Sequence, residues 1–192
     1  MDALSLKDGI KILNNLKEEQ REAQKCGLPF MMASVVLWTI ILVAQFLNVD
    51  QVTKNTITFS CSAGVMPLSL IFGKLIGAHF LKKTSNPIKS LGFLCTMNQN
   101  LYMLAVLWAY NQKPVGMLMV YAVVFAAHLL PFSWVYNCKP YMVFSIIETI
   151  GSFAAGIIFG NAAIALFIVV CQILLNVFIF ANMRKDKQRV ED

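Results

Sequence analysis

Six uninterrupted apolar runs, each near twenty residues, decide what this chain can fold into. They cover 27–48, 57–80, 90–111, 115–136, 141–160 and 162–183. A bilayer core ~30 Å thick is crossed by ~20 helical residues rising 1.5 Å each. A helix of that length satisfies its own backbone hydrogen bonds, which lipid cannot do. What is left over is an N-terminal segment 1–26, a tail 184–192 and five short connections, none long enough to fold alone in water. Composition agrees, with 58% of the 192 residues hydrophobic and 14% charged. The expected fold is therefore all-α: a polytopic transmembrane helical bundle of six spans (27–183), preceded by an N-terminal amphipathic helix and followed by a basic tail.

The net charge of +6 would suggest nucleic acid in a soluble protein, but the basic residues sort by connection instead. Thirteen lie on one side: Lys7, Lys11, Lys17, Arg21 and Lys25 before the first run, Lys82, Lys83 and Lys89, Lys139, and the tail Arg184, Lys185, Lys187 and Arg189. The other side has only Lys54 and Lys113. The positive-inside rule then places both termini in the cytoplasm. The cations are dispersed and mixed with Glu18, Glu19, Glu22 and Asp186, so no nucleic-acid role is expected. After Met1-Asp2 the first 26 residues carry four acids (Asp8, Glu18, Glu19 and Glu22) and precede a 22-residue apolar run, too long for a signal peptide's core, so this span is expected to be retained. Leu6, Ile10, Leu13 and Leu16 recur at helical spacing among charges. This predicts an amphipathic helix over 5–25 that lies on the inner leaflet or pairs with a neighbour, or else a solvated leader.

Several kinds of chemistry find no support. The chain has no HExxH, no GxSxG and no glycine-rich phosphate loop. Its five cysteines show no metal-ligand spacing, so no metal, cofactor or disulfide framework is expected. The spans hold one carboxylate, Glu148, which excludes a two-aspartate protease. No catalytic residue is expected, and the chain is not read as an enzyme.

The polar residues inside the spans carry the functional signal, because burying them unpaired costs several kcal/mol. Depth from the inner end of each span, at 1.5 Å per residue, is ~9 Å for Lys74, ~14 Å for Gln99 and ~12 Å for His128. Glu148 and Asn176 lie at ~10 Å and Gln172 at ~16 Å. Five of the six spans thus put their costliest residue at one level of the inner half. Tyr141, Ser145, Glu148 and Ser152 form one helical stripe, and Gln172 and Asn176 stand one turn apart. Asn98 and Asn100 diverge by ~100° to either side of Gln99, so at least one amide of the triplet should contact a neighbouring helix or backbone. One reading is a polar ligand- or ion-binding pocket open to the cytoplasm and lined by Glu148, His128, Gln99, Asn98, Gln172 and Asn176. The other is interhelical hydrogen bonding that fixes the bundle. A lone carboxylate is costly glue, which favours function for Glu148. Lys74 either neutralises Glu148 or snorkels to the headgroups.

Ser152, Gly156 and Gly160 form small-xxx-small steps that allow close helix packing, either to the last span or to a second copy in a homo-oligomer. Pro67 and Pro131 should kink their helices. Leu28-Pro29-Phe30 and Leu130-Pro131-Phe132 match, but both fall toward the cytoplasmic side, which argues against an inverted repeat.

Two segments also carry a family likeness. Asn86-Pro87 leading to Leu91-Gly92 and Asn98-Gln99-Asn100-Leu101-Tyr102 is one, and Ala127-His128-Leu129-Leu130-Pro131-Phe132-Ser133-Trp134 is the other. Together they resemble a family of small bacterial integral membrane proteins of unknown function, over most of the chain. The resemblance implies a six-helix core in a bacterial plasma membrane and supplies no activity. The leading expectation is a membrane protein that binds or passes a small solute or ion. The alternative is a non-transporting structural or regulatory factor that acts through helix association.

Overall fold

The computed structural model describes residues 5–79 and 84–191. Lys82 and Lys83, and the side chains of Lys185, Lys187 and Arg189 in the expected basic tail, lie outside the described residues. The described chain is helical throughout: α1 (Leu6–Ala23), α2 (Leu28–Gln45), α3 (Gln51–Ile76), α4 (Pro87–Gln112), α5 (Met117–Ala127), α6 (Leu130–Val135), α7 (Lys139–Ile158) and α8 (Asn161–Glu191).

Local chemistry sets the boundaries. Ser5 caps α1 by accepting from the Lys7 N–H. Lys25, Cys26 and Gly27 all take positive φ in the turn into α2. Asp50 caps α3, accepting from the Thr53 hydroxyl at 2.6 Å and the Thr53 N–H at 3.1 Å, which holds its carboxyl below the ordinary value. Asn86 caps α4 just before Pro87, accepting from the Ile88 N–H at 2.9 Å. The proline expectations divide. Pro131 has no N–H to continue the preceding helix, and the span is broken there into α5 and α6. Pro67 sits inside an uninterrupted α3.

Five helical segments among the described residues are long and apolar enough to cross a membrane: Lys25–Gln45, Gln51–Ile76, Pro114–Val135, Lys139–Ile158 and Asn161–Arg184. The sequence predicts six. The difference is α4, which has spanning length at 26 residues but is diluted at its middle by Asn98-Gln99-Asn100.

The helices pack in a chain of neighbours, α3 on α2, α2 on α8, α8 on α7, α7 on α5 and α6, and α4 on α5 and α6. No substantial packing joins α3 to α4 among the described residues, so the ring is open at that point. One apolar cluster around Trp38, Ile41, Leu118, Tyr121, Ile164 and Ile168 closes the outer half of the bundle. A second around Cys26, Leu28, Tyr136, Tyr141, Leu175 and Ile179 fills the inner half.

The amphipathic helix α1 docks across the inner end through part of its polar face together with Leu13 and Leu16, which pack on the inner apolar cluster. Lys17, Gln20 and Arg21 are buried, whereas Leu6 and Ile10 stay exposed. Arg21 Nη2 donates to Asn182 Oδ1 at 2.5 Å, Asn86 Nδ2 donates to the Leu16 carbonyl at 2.8 Å, and the Lys17 ammonium sits 3.4 Å from the centroid of the Trp134 ring.

The small-residue steps on α7 also divide. A Cβ on Gly156 would lie 2.8 Å from Met119 Sδ of α5 and 3.1 Å from Ile164 Cδ1 of α8, so this glycine does permit a close approach. A Cβ on Gly160 would meet nothing within 4 Å; its φ of +84° serves the turn between α7 and α8 instead. Gly151 also permits a close α7–α8 approach, since a Cβ there would fall 2.3 Å from Phe167 Cζ.

Candidate functional site

The opening between α3 and α4 leads into a cavity of about 600 Å³ bounded by α2, α3, α4, α5 and α6. Tyr121, Phe125, His128, Phe132 and Tyr136 supply one wall at steps of three and four residues, a single helical face that continues across the break at Pro131. Their rings form a ladder. Phe125 and His128 have centroids 5.5 Å apart, His128 and Phe132 5.9 Å, and Phe132 and Tyr136 5.8 Å. Tyr136 donates to Gln24 Oε1 at 2.6 Å, and Tyr141 donates to the Cys26 carbonyl at 2.7 Å, so the inner end of the ladder is tied to the α1–α2 turn. His128 Nδ1 donates to the Phe125 carbonyl, which fixes the tautomer and leaves Nε2 as the ring's acceptor.

The opposite wall comes from α4, where Gly92, Thr96, Gln99 and Met103 follow helical spacing and Asn100 flanks them. The amides of Gln99 and Asn100 have no hydrogen-bond partner among the described residues. Amides that line an otherwise aromatic cavity without protein partners are available to a ligand.

Glu148 is not on the cavity wall. It is fully buried between α7 and α8, where Gln172 Nε2 donates to both carboxylate oxygens at 3.0 Å. Gln172 Oε1 in turn accepts from Ser34 Oγ at 2.6 Å, and Ser34 does line the cavity. The hydroxyl also lies 2.8 Å from the Met31 carbonyl, so it shares one proton between two acceptors. A hydrogen-bonded chain Ser34–Gln172–Glu148 thus connects the cavity to the carboxylate behind its wall. Asn176 stands beside the chain, donating to Met31 O at 3.1 Å and Gln172 O at 2.7 Å, and its Oδ1 is buried without a partner. The buried Ser152 hydroxyl has none either.

The residues singled out from sequence therefore fall into three places. His128 and Gln99 meet across the cavity. Glu148, Gln172 and Asn176 gather at the α2–α7–α8 junction, one hydroxyl away from it. Asn98 faces outward, exposed, and joins neither group; no amide of the triplet bonds to a neighbouring helix among the described residues. Lys74 is exposed on α3 and makes no ion pair with Glu148, as snorkelling requires. The stripe Tyr141, Ser145, Glu148 and Ser152 is the buried face of α7.

Ser34 was not picked out from sequence. Six residues into α2 it lies ~9 Å deep, level with Glu148, so the depth rule reaches it once hydroxyls are counted with amides. No group of three or more metal-ligating side chains is assembled among the described residues.

Fold and site together define a polytopic α-helical membrane protein with an aromatic- and amide-lined cavity in its membrane region. The chain belongs to the family of unknown function DUF7010, whose model matches residues 13–182. No curated protein and no solved structure matches it.

Proposed function

We propose that this protein binds and moves a small amphiphilic cation through the cavity between α3 and α4, with Glu148 as the group that exchanges a proton with it. The observation that carries the reading is the cavity wall: unpartnered Gln99 and Asn100 face six aromatic rings (Phe30, Tyr121, Phe125, Phe132, Tyr136 and Tyr141), and Ser34 leads through Gln172 to Glu148. Aromatic faces attract cations in a desolvated site. Glu148 has no cationic partner among the described residues, so no protein cation competes with an incoming one at the junction. The gap between α3 and α4 offers entry from the bilayer, where amphiphiles concentrate. The topology belongs to the same proposal: α4 crosses as a sixth span, thirteen basic residues against two favour cytoplasmic termini, and the family resemblance favours a bacterial plasma membrane.

Proteoliposomes test this with tetraphenylphosphonium as the probe. The wild-type chain accumulates it under an imposed pH gradient, and Glu148→Gln keeps binding but loses the gradient-driven part. Phe132→Leu, which removes one ring of the lining, weakens binding up to about tenfold, the worth of one desolvated cation–π contact. If wild-type protein moves the probe no faster than empty liposomes, and neither the probe nor neutral indole binds, transport fails as the reading. The alternative of a non-transporting factor then stands.

A further inference from the structure

We infer that a second copy of this chain docks on the outer face of α4, parallel to it about a two-fold axis along the membrane normal, with Asn98 paired to the partner's Asn98. Three faces of α4 do different things. Val106 and Ala109 are buried against the bundle, and Gly92, Thr96, Gln99 and Met103 line the cavity. The third face is Leu91, Leu94, Asn98, Leu101, Ala105 and Trp108, all exposed, with Leu94, Leu101 and Trp108 more than half so. Their spacing alternates three and four residues without a fault, the a/d seam of a parallel two-helix pairing. At 100° per residue this seam is turned roughly 180° from the cavity stripe.

Asn98 gives the face its specificity. Eight residues past Ser90, it lies ~12 Å deep, and it has no hydrogen-bond partner among the described residues. An amide left in hydrocarbon is costly and demands one. A copy of the same chain is inserted in the same orientation, so its α4 runs parallel at the same depth, and a two-fold axis sets each a-position residue opposite itself. The amide carries a donor and an acceptor and is therefore complementary to its own symmetry mate. An Asn at one a position of an apolar seam fixes register and favours two strands. An unrelated protein would need a polar group placed independently at this depth.

The test uses the full chain in liposomes, with copper-phenanthroline as oxidant and the native thiols of the wild type as background. Leu101→Cys, on the same seam with Asn98 retained, gives a disulfide-linked band at twice the chain mass, well above background, and Asn100→Cys on the cavity side does not. In a fluorescence-transfer dilution series, Asn98→Leu weakens self-association about tenfold, in the range of an interhelical polar contact in membranes. Wild-type protein that stays monomeric, Leu101→Cys at background level, or equal linkage from Asn100→Cys each overturns the inference.

Discussion

Replacing Gln172 by leucine is expected to destabilise the folded bundle by about 1–3 kcal/mol, the cost of leaving a buried polar group without its partner. Gln172 satisfies both oxygens of a carboxylate that has no access to water and no other partner among the described residues. Leucine fills a similar volume, so the loss is polar and not a cavity effect. The sharper expectation concerns the double variant. Removing both ends of a buried polar contact can be nearly neutral, so Gln172→Leu with Glu148→Leu should recover most of the stability lost by Gln172→Leu alone. Thermal unfolding in detergent of the two single variants and the double one closes the cycle. A double variant no more stable than Gln172→Leu would mean that the carboxylate is not what Gln172 supports.

Gly27→Ala is expected to cost about 3 kcal/mol, through two additive effects. Its φ of +70° is costly for a residue with a Cβ. The added Cβ would also lie 2.8 Å from Tyr136 Cε2 and 3.0 Å from the Tyr141 hydroxyl, at the foot of the aromatic ladder. Gly77 separates the two effects, because it has a nearly identical φ of +69° but nothing within 4 Å of the position a Cβ would take. Gly77→Ala should therefore lose only about 1 kcal/mol, the backbone part. Comparison of the two unfolding midpoints checks this. Equal losses would show that the ladder yields to the extra methyl. Since the Tyr136 hydroxyl holds Gln24, Gly27→Ala should also make α1 more susceptible to proteolysis.

Run length made the helices legible, because crossing a bilayer imposes a length; the caps at Asp50 and Asn86 that set where α3 and α4 begin were not read. The level of the polar residues was legible for the same reason: depth follows from position along a span. Lateral order was not. Which helix neighbours which is set by side-chain fit, and that order decides that His128 and Gln99 share a cavity while Glu148 stands behind Ser34 and Gln172. Ser34 escaped notice because one serine in an apolar run bonds back to its own helix at little cost. That α1 pairs with a neighbour was one of the sequence alternatives; which residues it meets was not, because Asn86 and Asn182, which bond to the Leu16 carbonyl and to Arg21, are distant in sequence.

On this reading the α3–α4 cavity is a ligand site. Calorimetric titration of detergent-purified protein with tetraphenylphosphonium tests it most directly, with Gln99→Trp to fill the cavity and Leu104→Trp, exposed on α4 away from the cavity wall, as control. The predicted result is saturable binding to the wild type and to Leu104→Trp, lost in Gln99→Trp with the unfolding midpoint unchanged. Binding that survives Gln99→Trp undiminished, or no saturable binding to the wild type, would contradict it.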